Sequence, residues 1–190
     1  MPSTTHCATD LVGPDTVIRF WFDETSPKQW FSQDDGFDAL ISTRFNTTLE
    51  HAKQAELYHW RITPAGRLAE IIVLDQFSRN IYRNSAKAFE ADPLALVLAQ
   101  EAVARQADID LTPKQVPFLF MPYMHSESAA IHQVALALFN KDAAKANLAF
   151  ELRHKAIIDR FGRYPHRNEV LGRESTPEER IFLAQAGSSF

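Results

Sequence analysis

The chain reads as all-α. Apolar residues recur at three- and four-residue spacing in several stretches, and proline-preceding cap residues open many of them. Only 6 of the 190 residues are glycine, against many Ala, Leu, Glu, Gln and Arg. Spacing of that kind marks amphipathic helices, and the residue mix favours helix over strand and turn. The length fits one domain with a sizeable core. We expect about seven to eight helices in helical-hairpin order, forming a single domain from residue 13 to residue 190 behind a flexible segment at residues 1–12.

Taken in order, Gly13-Pro14 and DTVIRFWF give a first helix, followed by a loop at 23–28. Phe20, Trp21, Phe22, Trp30 and Phe31 make this region aromatic, and aromatic clusters are more often core than partner surface. Residues 34–54 form an amphipathic helix on Phe37, Leu40, Ile41, Phe45 and Leu49, with Asp38 and Arg44 between them. Asp92-Pro93 is an N-cap and N1 signature for a helix to about Arg105. Thr112-Pro113-Lys114-Gln115 is a capping box, but Pro117 and Pro122 predict a broken, buried segment at Val116–Met124. Ser126 is expected to cap a helix ending near Phe139, and Ala143–Phe161 is another, stopped by Gly162 at C′. Residues 162–175 read as a long loop, and Thr176-Pro177-Glu178-Glu179 as a capping box opening a short last helix.

The stretch Thr63 to Arg83, TPAGRLAEIIVLDQFSRNIYR, stands out. Thr63 is an N-cap with Pro64 at the first helical position. Leu68, Ile71 and Ile72 share one sector while Leu74, Phe77 and Ile81 lie opposite, so the helix is apolar on two sides and predicted to be central. Along its second half the first sector passes to Asp75, Gln76, Arg79, Asn80 and Arg83, within an arc of about 140°. Polar groups in an interior sector are costly unless paired. They mark a structural network or a site.

Three constellations carry the available chemistry. In the central helix, Asp75 and Arg79 are an i,i+4 pair, and the set reads either as a buried ion-pair network or as a floor for an anionic ligand held by arginine forks. His125-Ser126-Glu127 follows the proline-broken segment and reads as a capping cluster or an acid–base pair. From Arg160 to Asn168 there are three arginines, with His166 and no acid, a local positive patch including Arg163 and Arg167.

Other classes are disfavoured. The formal net charge of −4 gives no general attraction to nucleic acid or anionic membrane. One cysteine, Cys7, leaves no internal disulfide and fits a reducing compartment. No secretory signal or membrane span is visible, so a cytoplasmic protein is expected. His125 and His132 lack H-E-x-x-H spacing and no metal is expected. G-x-S-x-G, P-loop, G-x-G-x-x-G and C-x-x-C motifs are missing, and no cofactor is expected.

The blocks LDQFSRNIYR (Leu74–Arg83), PFLFMPYMHSE (Pro117–Glu127) and RFGRYPHRNEVLGRESTPEE (Arg160–Glu179) resemble the signature blocks of the domain of unknown function 924 family. VIRFWF, Trp30-Phe31 and TPAGRLAEIIVLDQF are similar to it too. The resemblance implies a tetratricopeptide-repeat-like, right-handed helical array, and it brings no catalytic residues. Its blocks coincide with the three constellations, which sets the candidate ligand site as Asp75, Gln76, Arg79, Asn80, Arg83, His125, Glu127, Arg163, His166, Arg167 and Asn168. The first functional expectation is a binding module for an anionic small molecule or acidic peptide segment. The alternative is an enzyme in which His125 or His166 works with Asp75 or Glu127.

Overall fold

The computed structural model describes residues 11–188, and among them every regular element is helical. The expected flexible segment, with Cys7, lies outside the described residues except for Leu11 and Val12. The latter's amide donates to Thr48 Oγ1 at 3.4 Å.

Pro14 starts α1 (Pro14–Arg19), which runs on into a π-helical turn at Phe20–Glu24. Where a loop was expected, Ser26 and Gln29 form a capping box and open α2 (Pro27–Phe31). Asp34 accepts the Phe37 amide at 3.0 Å and begins α3 (Asp35–Lys53), whose Phe37, Ile41, Phe45 and Leu49 are buried. Thr63 Oγ1 accepts the Gly66 amide at 3.0 Å and caps α4 (Pro64–Ile72). The rod then widens into a π turn at Val73–Phe77 and returns to α geometry as α5 (Ser78–Ile81). Leu68, Ile71, Ile72, Leu74 and Phe77 are fully buried, as an interior helix requires.

After a short 3₁₀ turn at Ala86–Phe89 comes α6 (Asp92–Ala104), then α7 (Val116–Met124), α8 (Ala129–Phe139) and α9 (Leu148–Phe161). α1, α6 and α7 pack on α4, whereas α3 packs on the π turn and α5. From α6 to α9 each helix packs on the next, a sequential stacking compatible with a tetratricopeptide-like array. Segment 116–124 is not broken. Pro117 falls in the first turn, where no amide donor is needed, and Pro122 forfeits only one bond in a helix whose nine residues are all buried. Ser128, not Ser126, stands at the N-cap of α8, and Ser126 Oγ accepts the Ser128 amide at 3.2 Å. Gly162 ends α9 at φ 68°, and its amide donates to Ile158 O at 2.8 Å. The Thr176–Glu179 capping box opens α10 (Pro177–Leu183).

The core is aromatic at its N-terminal end. Phe45 and Phe77 lie 4.6 Å apart between ring centres, Phe20 and Phe45 4.8 Å, and Trp21 meets Phe77 at 5.5 Å. Full burial of each such ring contributes about 1.5–3 kcal/mol. Phe31 is the exception, 67% exposed. No helix among the described residues is long and apolar enough to cross a membrane.

Candidate functional site

The π turn sets the site's floor. Turns with i→i+5 bonding are rare and recur at functional positions. This one carries Asp75 and Gln76, both buried, and hands on to Arg79 in α5. Gln76 Nε2 donates to Asp75 Oδ2 at 2.5 Å, and Arg79 Nη1 lies 3.1 Å from Asp75 Oδ1. The same oxygen meets His125 Nδ1 at 2.7 Å, across from the end of α7.

The electrostatics fix the protonation of this pair. Burial alone would raise the Asp75 carboxyl, but Arg79 and His125 outweigh it and hold it well below the usual carboxylate range. Burial lowers His125, and Asp75 only partly restores it. An ionised Asp75 beside a neutral ring places the hydrogen on Nδ1, donating to the carboxylate. The lone pair then sits on Nε2, which no described side chain engages through a hydrogen bond.

A second carboxylate, Asp92, closes the other side. Arg79 grips it bidentately, at 2.8 and 2.9 Å, and Arg167 Nη1 donates to it at 3.2 Å. Arg167 also donates to the His125 carbonyl at 3.1 Å, so the segment after α9 is tied to the end of α7. Its guanidinium is stacked between Phe89 and Tyr164, 4.5 and 4.7 Å from their ring centres. Only 6% of the residue is exposed.

Against this wall lies a cavity of about 360 Å³. Asp92, His125, Ser126, Glu127 and Arg167 give its polar border, and Phe89, Pro93, Leu96, Pro122 and Leu171 its apolar one. A wider cleft of about 530 Å³, between Leu11–Asp15 and His59–Thr63, holds none of the candidate residues. Among the described residues no group of three or more His, Cys, Asp or Glu is placed to hold a metal ion.

Thus the structure brings Asp75, Gln76, Arg79, His125, Glu127 and Arg167 to one place, three of them on the cavity itself. Asn80 and Arg83 go elsewhere: Asn80 donates to Asp38 Oδ1 at 2.7 Å and Arg83 forks onto the same carboxylate, tying the central helix to α3. The expected positive patch after α9 is neutralised. Arg160 pairs with Glu178, and Arg163 with Glu179 at 2.7 and 2.8 Å, which also takes a bond from buried Asn168 at 3.3 Å. His166 is held near Tyr164, with burial lowering it to about 4. Glu127 accepts a fork from Arg173 at 2.7 and 2.9 Å and the Tyr164 amide at 2.7 Å.

Sequence reasoning missed Asp92, whose position before Pro93 was accounted for as a cap. It is instead the first residue of α6, with its carboxylate turned to two arginines. Arg173 and Phe89 were missed as well. A buried arginine needs an acid, and counting candidate acids for Arg79 and Arg167 was the one signal that pointed to Asp92.

Residues 17–187 match the family described as bacterial protein of unknown function (DUF924). Among solved structures, the chain is similar to a protein of unknown function from Agrobacterium tumefaciens, at 36% sequence identity and a TM-score of 0.85, over 90% of this chain and 96% of that one. No curated protein matches the chain. On the extent of the family match, this chain belongs to the DUF924 family of bacterial proteins.

Proposed function

We propose that the protein is an acid–base enzyme acting on a small molecule seated in the 360 Å³ cavity, with His125 as proton acceptor and Asp75 as the group that orients it. The observation that carries this is the 2.7 Å bond to a buried, ionised Asp75 from Nδ1 of His125, which lines the cavity. That bond leaves Nε2 as the ring's basic atom. In the step, Nε2 takes a proton from a substrate X–H bond and the bonding pair stays on X. The imidazolium formed is held by Asp75, and the nearest cavity-lining cation to the new charge is Arg167.

An anion-binding module, the other function the sequence supports, needs an open guanidinium fork. Arg79 and Arg167 close on Asp92 and Arg83 closes on Asp38, so an incoming carboxylate would have to break an existing ion pair. That cost favours the acid–base reading.

The test is consumption of low-mass compounds from a fractionated bacterial metabolite extract, followed by mass spectrometry. The parent protein should deplete at least one species, and His125→Gln should slow that depletion by roughly 100-fold or more. Equal depletion by the two, or depletion by neither, would overturn the reading.

A further inference from the structure

The cavity's charge is balanced before any ligand arrives. Asp75 and Asp92 are matched by Arg79 and Arg167. Glu90, at the rim, pairs with Lys53 at 2.7 Å, and Glu127 pairs with Arg173. Among the described residues, each of these four carboxylates therefore has a cation, and each of these four cations a carboxylate. The remaining wall is apolar, on Phe89, Leu96, Pro122 and Leu171.

We infer that this cavity takes an uncharged, partly apolar small molecule bearing one polar hydrogen for His125, and that it rejects phosphorylated and polycarboxylate compounds. The inference deepens the acid–base reading and rests on it for the part played by His125. Two observations set the class. An anion entering here would face three carboxylates, while the lining guanidinium, Arg167, already pairs with Asp92, and a partly buried charge without a partner is strongly disfavoured. Arg167 cannot swing out cheaply to meet one, since it is stacked between two rings and bonded to the His125 carbonyl.

The experiment uses the full chain and matched pairs of probes, benzamide against benzoate and phenol against phenyl phosphate, in saturation-transfer NMR. The neutral member of each pair should give a signal at least tenfold stronger than its anion at equal concentration. Filling the space should remove it, and two variants guard against a folding failure: Leu96→Phe from α6 and Leu171→Trp from the loop. Anions binding as well as or better than their neutral partners would overturn the ligand class. So would neutral binding that survives in both variants when these are folded, or the absence of any binding.

Nitrogen-15 shifts of the His125 ring, read in the same samples, separate this inference from the one beneath it. Neutral probes that bind without moving the ring signals would sink the acid–base role and leave the ligand class standing. Anions that bind and move them would do the reverse.

Discussion

Consider Asp92→Ala. The substitution removes a carboxylate that accepts three charge-assisted hydrogen bonds, two from Arg79 and one from Arg167. Arg79 retains Asp75, but Arg167 keeps no carboxylate partner within salt-bridge reach among the described residues, while 8% of its side chain is exposed. Breaking a buried pair by deleting one partner typically costs about 3–5 kcal/mol. Side-chain exposures of 17% at Asp92 and 20% at Arg79 favour the low end, about 3 kcal/mol. For a chain of 190 residues the entropy of unfolding is roughly 0.4 kcal/mol/K, so Tm should fall by about 7 °C. Urea denaturation and calorimetry measure both quantities. The exposed Arg160–Glu178 pair is the control, where Glu178→Ala should change nothing measurable. A double variant, Asp92→Ala with Arg167→Leu, should recover part of the loss, because it removes the stranded cation. If Asp92→Ala costs less than about 1 kcal/mol, the clamp is a surface pair and the rigid, charge-balanced wall argued above does not exist.

Acid should unfold the protein early. Burial holds His154 at about 3 and His166 at about 4, below the unfolded value near 6.5, so the unfolded chain binds more protons as pH falls. Their stabilisation is complete above about pH 6.5 and is lost on the way down, roughly 2 kcal/mol each by pH 5. His154→Phe should flatten that slope in pH-dependent denaturation. At Gly66 a Cβ would lie 2.0 Å from the Trp60 carbonyl oxygen, so Gly66→Ala forces backbone apart and should cost about 3 kcal/mol or more by chemical denaturation.

Much of the fold was legible because its signals are local. Thr63 with Pro64, the Thr176–Glu179 box, Gly162 at the end of α9 and the buried stripe of α3 all depend on residues a few positions apart. The central helix was also legible, since apolar sectors on both sides can only mean burial on both sides. What failed was contact across distance. Arg167 and Asp92 are 75 positions apart, and Arg83 and Asp38 are 45 apart; no window or spacing rule joins them. For the same reason a run of three arginines looked like a positive patch, although two carboxylates of α10 and Asp92 neutralise it. The π turn was hidden too. Five residues of i→i+5 bonding leave the apolar pattern readable at 3.6 periodicity, while the arc that held five polar residues is divided between α3 on one side and α6 and α7 on the other.

That division bears on what the site is for. Asn80 and Arg83 meet Asp38 in an arrangement where every polar atom named has a partner, which is what holding two helices together requires. Asp75 is treated differently. Arg79 already compensates its charge, and Gln76 already donates to its second oxygen, so for structure alone the first oxygen needs only one more donor. An asparagine or glutamine amide would serve, and would bring no titratable group to a cavity wall. The ring at 125 supplies that donor and in addition a basic nitrogen that no described side chain bonds, at the border of the cavity. If His125→Gln keeps the parent's stability in denaturation while losing the metabolite depletion shown by the parent, the Nδ1 donor is the structural part and Nε2 the functional one.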